Sequence, residues 1–185
     1  MFGRLLLVTA ACLSTQAMAL PFFQGRASGG YVFLEGDSGG KSGSSGTVSA
    51  AGRFGYQFDN TNYFAALDVN AFRVYGMGPL GADNDGNIAS LAYGHIWPNF
   101  TLWLSGGAGE LRSFDRESEK TRPYKYYITE AQLGVTFNLY TSDSARVELG
   151  STLGRITPDA EWRQRYGLKA INSLQIDIGF KLLNW

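Results

Sequence analysis

Side chains able to do acid–base or nucleophilic chemistry are sparse in this sequence, which narrows what it can catalyse. The single histidine, His95, sits in Tyr93-Gly94-His95-Ile96-Trp97-Pro98-Asn99 with no serine two residues on. A histidine base needs a nucleophile within reach and a third group to orient it. Alternation with Leu91, Tyr93 and Trp97 instead puts this ring among apolar neighbours beside the Pro98-Asn99 turn. Glu130, Glu148 and Asp177 are a second set. Carboxyls sharing a site can divide acid and base roles, but Arg53 and Lys181 make a salt-bridged cluster the simpler reading. Arg53 and Asp68 flank one short turn at similar height and are expected partners.

Other motifs dissolve on inspection. Asp83-Asn84-Asp85-Gly86 resembles the start of a calcium loop but lacks the closing glutamate, so it reads as a hairpin loop. Ser38-Gly39-Gly40-Lys41-Ser42 lacks phosphate-loop spacing and reads as a flexible loop. One cysteine and one histidine exclude a disulfide scaffold and a multi-histidine metal centre. With 16 basic and 16 acidic residues there is no net field to draw a nucleic acid. No cofactor or metal is expected. Basic and aromatic residues do gather in two stretches, Arg116, Lys120, Arg122 and Lys125, then Trp162, Arg163, Arg165, Tyr166 and Lys169. They are candidates for phosphate or surface-ligand contact, although Asp115, Glu117, Glu119, Asp159 and Glu161 nearly balance their charge.

The elements that would position these residues follow from targeting and periodicity. Met1 to Ala19 has Arg4, an apolar run from Leu5 to Leu13 and an Ala17-Met18-Ala19 cleavage motif. It reads as a secretory signal peptide, leaving residues 20–185 as one domain without Cys12 and with a net charge of −1. After it, period-two alternation dominates, with one oily and one polar side per segment. Tyr127, Ala131, Leu133, Val135, Phe137 and Leu139 alternate with Tyr126, Glu130, Gln132, Gly134, Thr136 and Asn138. Leu174, Ile176, Ile178, Phe180 and Leu182 do so with Ser173, Gln175, Asp177, Gly179 and Lys181. Eight segments are expected: 28–36, 47–58, 62–75, 86–97, 100–113, 125–140, 144–156 and 170–183. Short turns at 59–61, 98–99 and 141–143 alternate with long polar loops at 37–46, 76–85, 114–124 and 157–169.

Short turns at one end and long loops at the other are the layout of an outer-membrane barrel, with an even strand count placing both termini at the periplasmic end. A soluble lipocalin also alternates, but its oily face points inward. Here the inner face would carry Arg53, Asp68, Asn70, Glu130, Gln132, Glu148, Gln175, Asp177 and Lys181, tolerable only as a paired network. Aromatics cluster at both strand ends: Phe58, Tyr63, Trp97, Phe100, Tyr140 and Trp185 by the turns, and Tyr75, Phe114, Tyr126 and Tyr127 by the loops. Two such girdles mark membrane interfaces. The fold expected is an all-β, eight-stranded antiparallel up-and-down transmembrane barrel.

The 24 glycines have a cause in this scheme. Strand glycines such as Gly52, Gly55, Gly94, Gly106, Gly107, Gly109, Gly134, Gly150, Gly154 and Gly179 would relieve crowding inside a narrow barrel, making an open pore unexpected.

Alternation, girdles and the aromatic ending together resemble the small eight-stranded outer-membrane barrels of the OmpA transmembrane and OmpX/Ail type. Phe180, Leu183 and Trp185 resemble the terminal signal by which such barrels are recognised for assembly, although the oily register shifts between Leu183 and Lys181, as a bulge or frayed end would cause. The resemblance implies residence in a Gram-negative outer membrane as a monomer. It also implies outer-membrane lipids, lipopolysaccharide, barrel-assembly machinery and periplasmic chaperones as partners, with a host or surface ligand at the loops. The role implied is closed, non-catalytic and structural or adhesive. Two alternatives stand beside it: an outer-leaflet lipid A-modifying enzyme and a narrow, porin-like channel. Against the first, His95 lies at the periplasmic end, whereas the lipid A deacylases of this architecture act on the outer leaflet.

Overall fold

The structure is a computed structural model that describes residues 19–36, 42–58, 61–76, 83–114 and 124–183. The elements are β1 (Ala19–Gly36), β2 (Gly43–Phe58), β3 (Tyr63–Val74), β4 (Asp83–Ile96), β5 (Phe100–Phe114), β6 (Tyr124–Thr141), β7 (Ala145–Pro158), α1 (Ala160–Tyr166) and β8 (Leu168–Leu183). Each strand pairs antiparallel with its sequence neighbour, and β8 returns to β1 to close the barrel. Closure leaves no unpaired edge, the condition for a sheet to sit in hydrocarbon.

Period-two patterning sorts side chains as the sequence predicts. Along β4, Asn84, Ile88, Ser90 and Ala92 are buried, while Asn87, Ala89, Leu91 and Tyr93 are exposed. Leu91, Leu104, Leu153, Ile176 and Ile178 are among the large apolar side chains that point outward, Leu91 at 69% exposure. An apolar surface of this extent is what a bilayer covers.

Four expectations change. β1 begins at Ala19, not near residue 28. Phe22 and Phe23 break the alternation of residue types, yet Phe22, Gln24 and Arg26 all turn inward. Asp83, Asn84 and Asp85 belong to β4 instead of a hairpin loop, with the Asn84 side chain buried. The stretch 157–169 contains α1, which Asp159 caps by accepting from the Trp162 amide at 3.0 Å and which Gly167 ends at φ 64°, the left-handed turn glycine adopts freely. The end of β8 carries no bulge: Leu182 and Leu183 pair with Phe23 and Phe22 in the register of Lys181 and Gln24. Leu183 packs against the interior, because it follows Lys181 on the inner face.

The expected signal segment, apart from Ala19, lies outside the described residues, as do 37–41 of the glycine-serine loop and Trp185.

Candidate functional site

The barrel interior is built in three layers. At the short-turn end, Phe22, Phe64, Ala66, Ala92, Ile96 and Trp103 form an apolar cluster. Phe22 and Phe64 meet edge to face, centroids 5.5 Å apart. These rings fit because glycines face them. A Cβ at Gly134 would stand 2.2 Å from the Trp103 ring, and one at Gly94 2.5 Å from Phe64. The interior-spacer role expected for glycine holds at these positions, whereas Gly52 and Gly106 face outward with the lipid-side residues.

The middle layer is charged. Arg53 grips Asp68 with two parallel bonds, Nε to Oδ1 at 2.6 Å and Nη2 to Oδ2 at 2.7 Å. Arg26 donates to the same carboxylate at 3.2 Å. Both guanidinium groups lie over the Trp103 ring, Arg26 at 4.5 Å and Arg53 at 4.2 Å from its centroid. A desolvated cation over an indole face is attracted by the ring quadrupole. Arg53 is therefore held on two sides. Lys181 sits 4.1 Å from the Phe22 centroid.

The three carboxylates are not joined as the sequence suggested. Glu148 accepts from Gln24, Asp177 accepts from Thr152 at 2.5 Å, and Glu130 accepts from Gln132 at 2.7 Å. None forms an ion pair with Arg53 or Lys181 among the described residues, because Asp68 already occupies Arg53. Gln175 accepts from Ser49 at 3.0 Å, and the Asn70 Oδ1 is buried with no protein partner. All nine predicted interior residues do face the barrel axis. Gln24 and Arg26 were missed because β1 was expected to begin after them.

The third layer closes the long-loop end. Val32, Leu34, Phe72, Val74, Ile88, Leu111, Tyr126, Ile128 and Ile156 pack with Leu168, Ile171 and the fully buried Trp162 of α1. Asp159 pins the helix down, its Oδ2 accepting from the Tyr127 amide at 3.0 Å while its own amide donates to the Tyr127 carbonyl at 2.9 Å. Trp162 is thus a stopper and not the exposed binding residue expected, since its helix turns it into the barrel mouth. Tyr166 packs partly on this cluster and hydrogen-bonds Ser113. Tyr126, expected in a girdle, is also inside. Arg163 and Arg165 remain exposed. Arg165 stacks 3.8 Å from the Tyr124 centroid, and the hydrogen bond to Tyr124 raises its pKa above the ordinary arginine value. Arg116, Lys120 and Arg122 lie outside the described residues.

Between the turn-end rings and the charged layer, a void lined by Phe22, Phe64, Gln24, Arg53, Glu148 and Lys181 among the described residues is about 10 Å³. That is about the room for one water.

Two features mark the outside. At the short-turn end, Tyr93, Tyr63, His95, Trp97, Phe100 and Phe137 run as a ladder of rings with successive centroids 4.1–6.2 Å apart. His95 is one rung of it, 4.5 Å from Tyr63 and 4.1 Å from Trp97. At the long-loop end stands a row of outward charges of which sequence reading had singled out only Lys125 as a binding candidate. Arg73, Asp85, Arg112 and Lys125 lie directly opposite one another on four consecutive strands. Arg73 holds Asp85 bidentately at 2.6 and 2.8 Å. Arg112 holds Glu110 at 2.7 Å, and Glu35 receives Arg155 at 2.7 Å and Lys169 at 3.6 Å. Following the outward parity of each strand past its last apolar residue would have found this row.

No known family profile matches the chain, and no curated protein matches it. Solved structures do. Neisserial surface protein A aligns with 89% of this chain and 97% of its own at a TM-score of 0.54 and 13% identity. Ail, the attachment invasion locus protein of Yersinia pestis, aligns with 90% of this chain and 99% of its own at a TM-score of 0.50 and 13% identity. Likeness at this identity establishes the fold: this chain is a closed, eight-stranded antiparallel up-and-down β-barrel, the architecture of these outer-membrane proteins.

Proposed function

We infer that the protein is a closed, non-catalytic barrel of a Gram-negative outer membrane that works through its outer surface, by stabilising the membrane and contacting lipopolysaccharide or a surface ligand. The observation that carries this reading is the filled interior. Among the described residues, two apolar clusters bracket a hydrogen-bonded charged layer, and the void lined by Arg53, Glu148 and Lys181 is about 10 Å³, far below the volume of a ligand cleft. The likeness to an attachment protein supports a surface role. Outward Phe180 near the end of β8 supports recognition by barrel-assembly machinery and periplasmic chaperones. The chain acts as a monomer in this reading, with the turn end in the periplasm and α1 outside.

Planar-bilayer recording of the refolded protein, paired with lipid A mass spectrometry of cells with and without it, tests the reading. The expected outcome is no reproducible conductance steps and an unchanged acylation pattern. Regular steps would establish a channel instead, and a changed acyl pattern a lipid A-modifying enzyme.

A further inference from the structure

Between the outward charge row and the bulky lipid-facing belt, the outer wall of β2 to β5 is recessed. Two in-register rows of mostly small side chains separate them. Ala50, Ala71 and Asn87 lie opposite one another directly beneath Val48, Arg73 and Asp85. The next row is Gly52, Val69, Ala89 and Ala108, and only below it do Phe54, Leu67 and Leu91 restore bulk. The upper of these rows floors an outward groove of about 500 Å³, walled by Val48 and Phe114 and lined above by Arg73, Asp85 and Arg112. That volume is in the range of ligand clefts, about 300–1,000 Å³.

We propose that this groove seats one phosphorylated glycolipid of the outer leaflet, an acyl chain lying over Ala50 and Ala71 and a phosphate meeting Arg73 and Arg112. The assignment rests on the lipopolysaccharide-contact reading above and fixes where that contact is made. The groove opens toward the bilayer, so its natural occupant is a lipid. Its upper rim selects the headgroup through donor geometry and not net charge, since Arg73, Arg112 and Lys125 are balanced by Asp83, Asp85 and Glu110. A guanidinium has five N–H donors, and Asp85 takes two from Arg73 while Glu110 takes one from Arg112. The carboxylates thus orient both groups and leave donors for a phosphate, the ligand that arginine's planar fork matches. The opposite wall lacks the recess, since Leu153 and Leu174 stand in register with Tyr31 there and are exposed and bulky.

The test is native mass spectrometry of the full barrel released from phosphatidylcholine nanodiscs doped with bisphosphorylated lipid A or its dephosphorylated form. The wild type is expected to retain the bisphosphorylated lipid about tenfold over phosphatidylcholine. The A50L/A71L variant fills the groove and should abolish that preference. The R73Q/R112Q variant adds no bulk and should lower retention of the bisphosphorylated lipid to the dephosphorylated level. R155Q/K169Q on the far wall should retain it as the wild type does. Retention indifferent to A50L/A71L or to R73Q/R112Q overturns the groove assignment while leaving lipopolysaccharide contact elsewhere on the barrel standing. Absence of lipid A from every form sinks both. A wild-type dimer abolished by A50L/A71L would make a second copy the occupant and also overturn the proposal.

Discussion

Arg53 and Asp68 face each other across the β2–β3 hairpin as directly opposed residues joined by two short parallel bonds, and the same carboxylate also receives Arg26 from β1. One anion therefore ties three consecutive strands together inside the barrel. The arrangement is asymmetric, since Asp68 is shared and each arginine is not. Replacing Asp68 by Asn leaves two buried guanidinium groups without their counter-charge, a loss of about 3–5 kcal/mol. Arg53→Met should cost less, because Asp68 keeps Arg26 and the methionine stem can still lie on Trp103. Urea unfolding in lipid vesicles, read by heat-modifiable migration, is expected to rank D68N below R53M. The reverse order would mean that Arg26 contributes little to the pair.

Interior rings and glycines form a second coupling. Trp103 occupies the space that a side chain at position 134 would need, so Gly134→Val should overpack the cluster by about 1–3 kcal/mol. Trp103→Leu alone removes packing and both cation–ring contacts. Combined with G134V it should lose less than the two single losses added, by 0.5 kcal/mol or more on the scale of about 0.5–3 kcal/mol seen for touching residues. Additive losses in a double-mutant cycle would show that Gly134 is not there for the ring.

How far these contacts could be read from sequence depends on what fixes register. Arg53 and Asp68 were legible because a tight turn, with Asn62 at φ 54°, sets the pairing of everything above it. Parity alone carries Tyr126 to the inner face with Glu130, yet aromatic type near the loops suggested a girdle. Residue type misled where parity was sound. Arg26 was not legible, because the Phe22-Phe23 pair hides where alternation starts and composition does not say where a targeting segment gives way to a strand. Trp162 was hidden for a different reason. A helix of seven residues has too few turns for apolar periodicity to register, and only its Asp159 cap and the Gly167 stop announce it.

The α1 lid should be tunable apart from the barrel. Gly167 sits at φ 64° with open space around its missing side chain, so Gly167→Val meets backbone strain and no clash. The expected loss is about 1 kcal/mol or more, and it is local. Hydrogen exchange should quicken over residues 159–167 while the strands keep their protection. Faster exchange throughout β6 to β8 would instead show that the lid and the barrel unfold as one unit.

Trp162 separates sealing from stability. Its side chain is fully buried in the cluster at the long-loop end, so Trp162→Ala should cost about 3–5 kcal/mol, less whatever the mouth recovers by collapsing. Stability loss does not imply an open barrel. Beneath the stopper, Arg26 and Arg53 remain clamped on Asp68, and Phe22, Phe64 and Trp103 still fill the turn end. Ions entering the opened mouth would meet a charged layer with no room to pass and then an apolar one. Planar-bilayer recordings of W162A are therefore expected to stay silent at stabilities still sufficient for heat-modifiable migration. Conductance in W162A that is absent from the wild type would locate the seal in α1 alone and make the interior layers permeable, turning the lid into a gate.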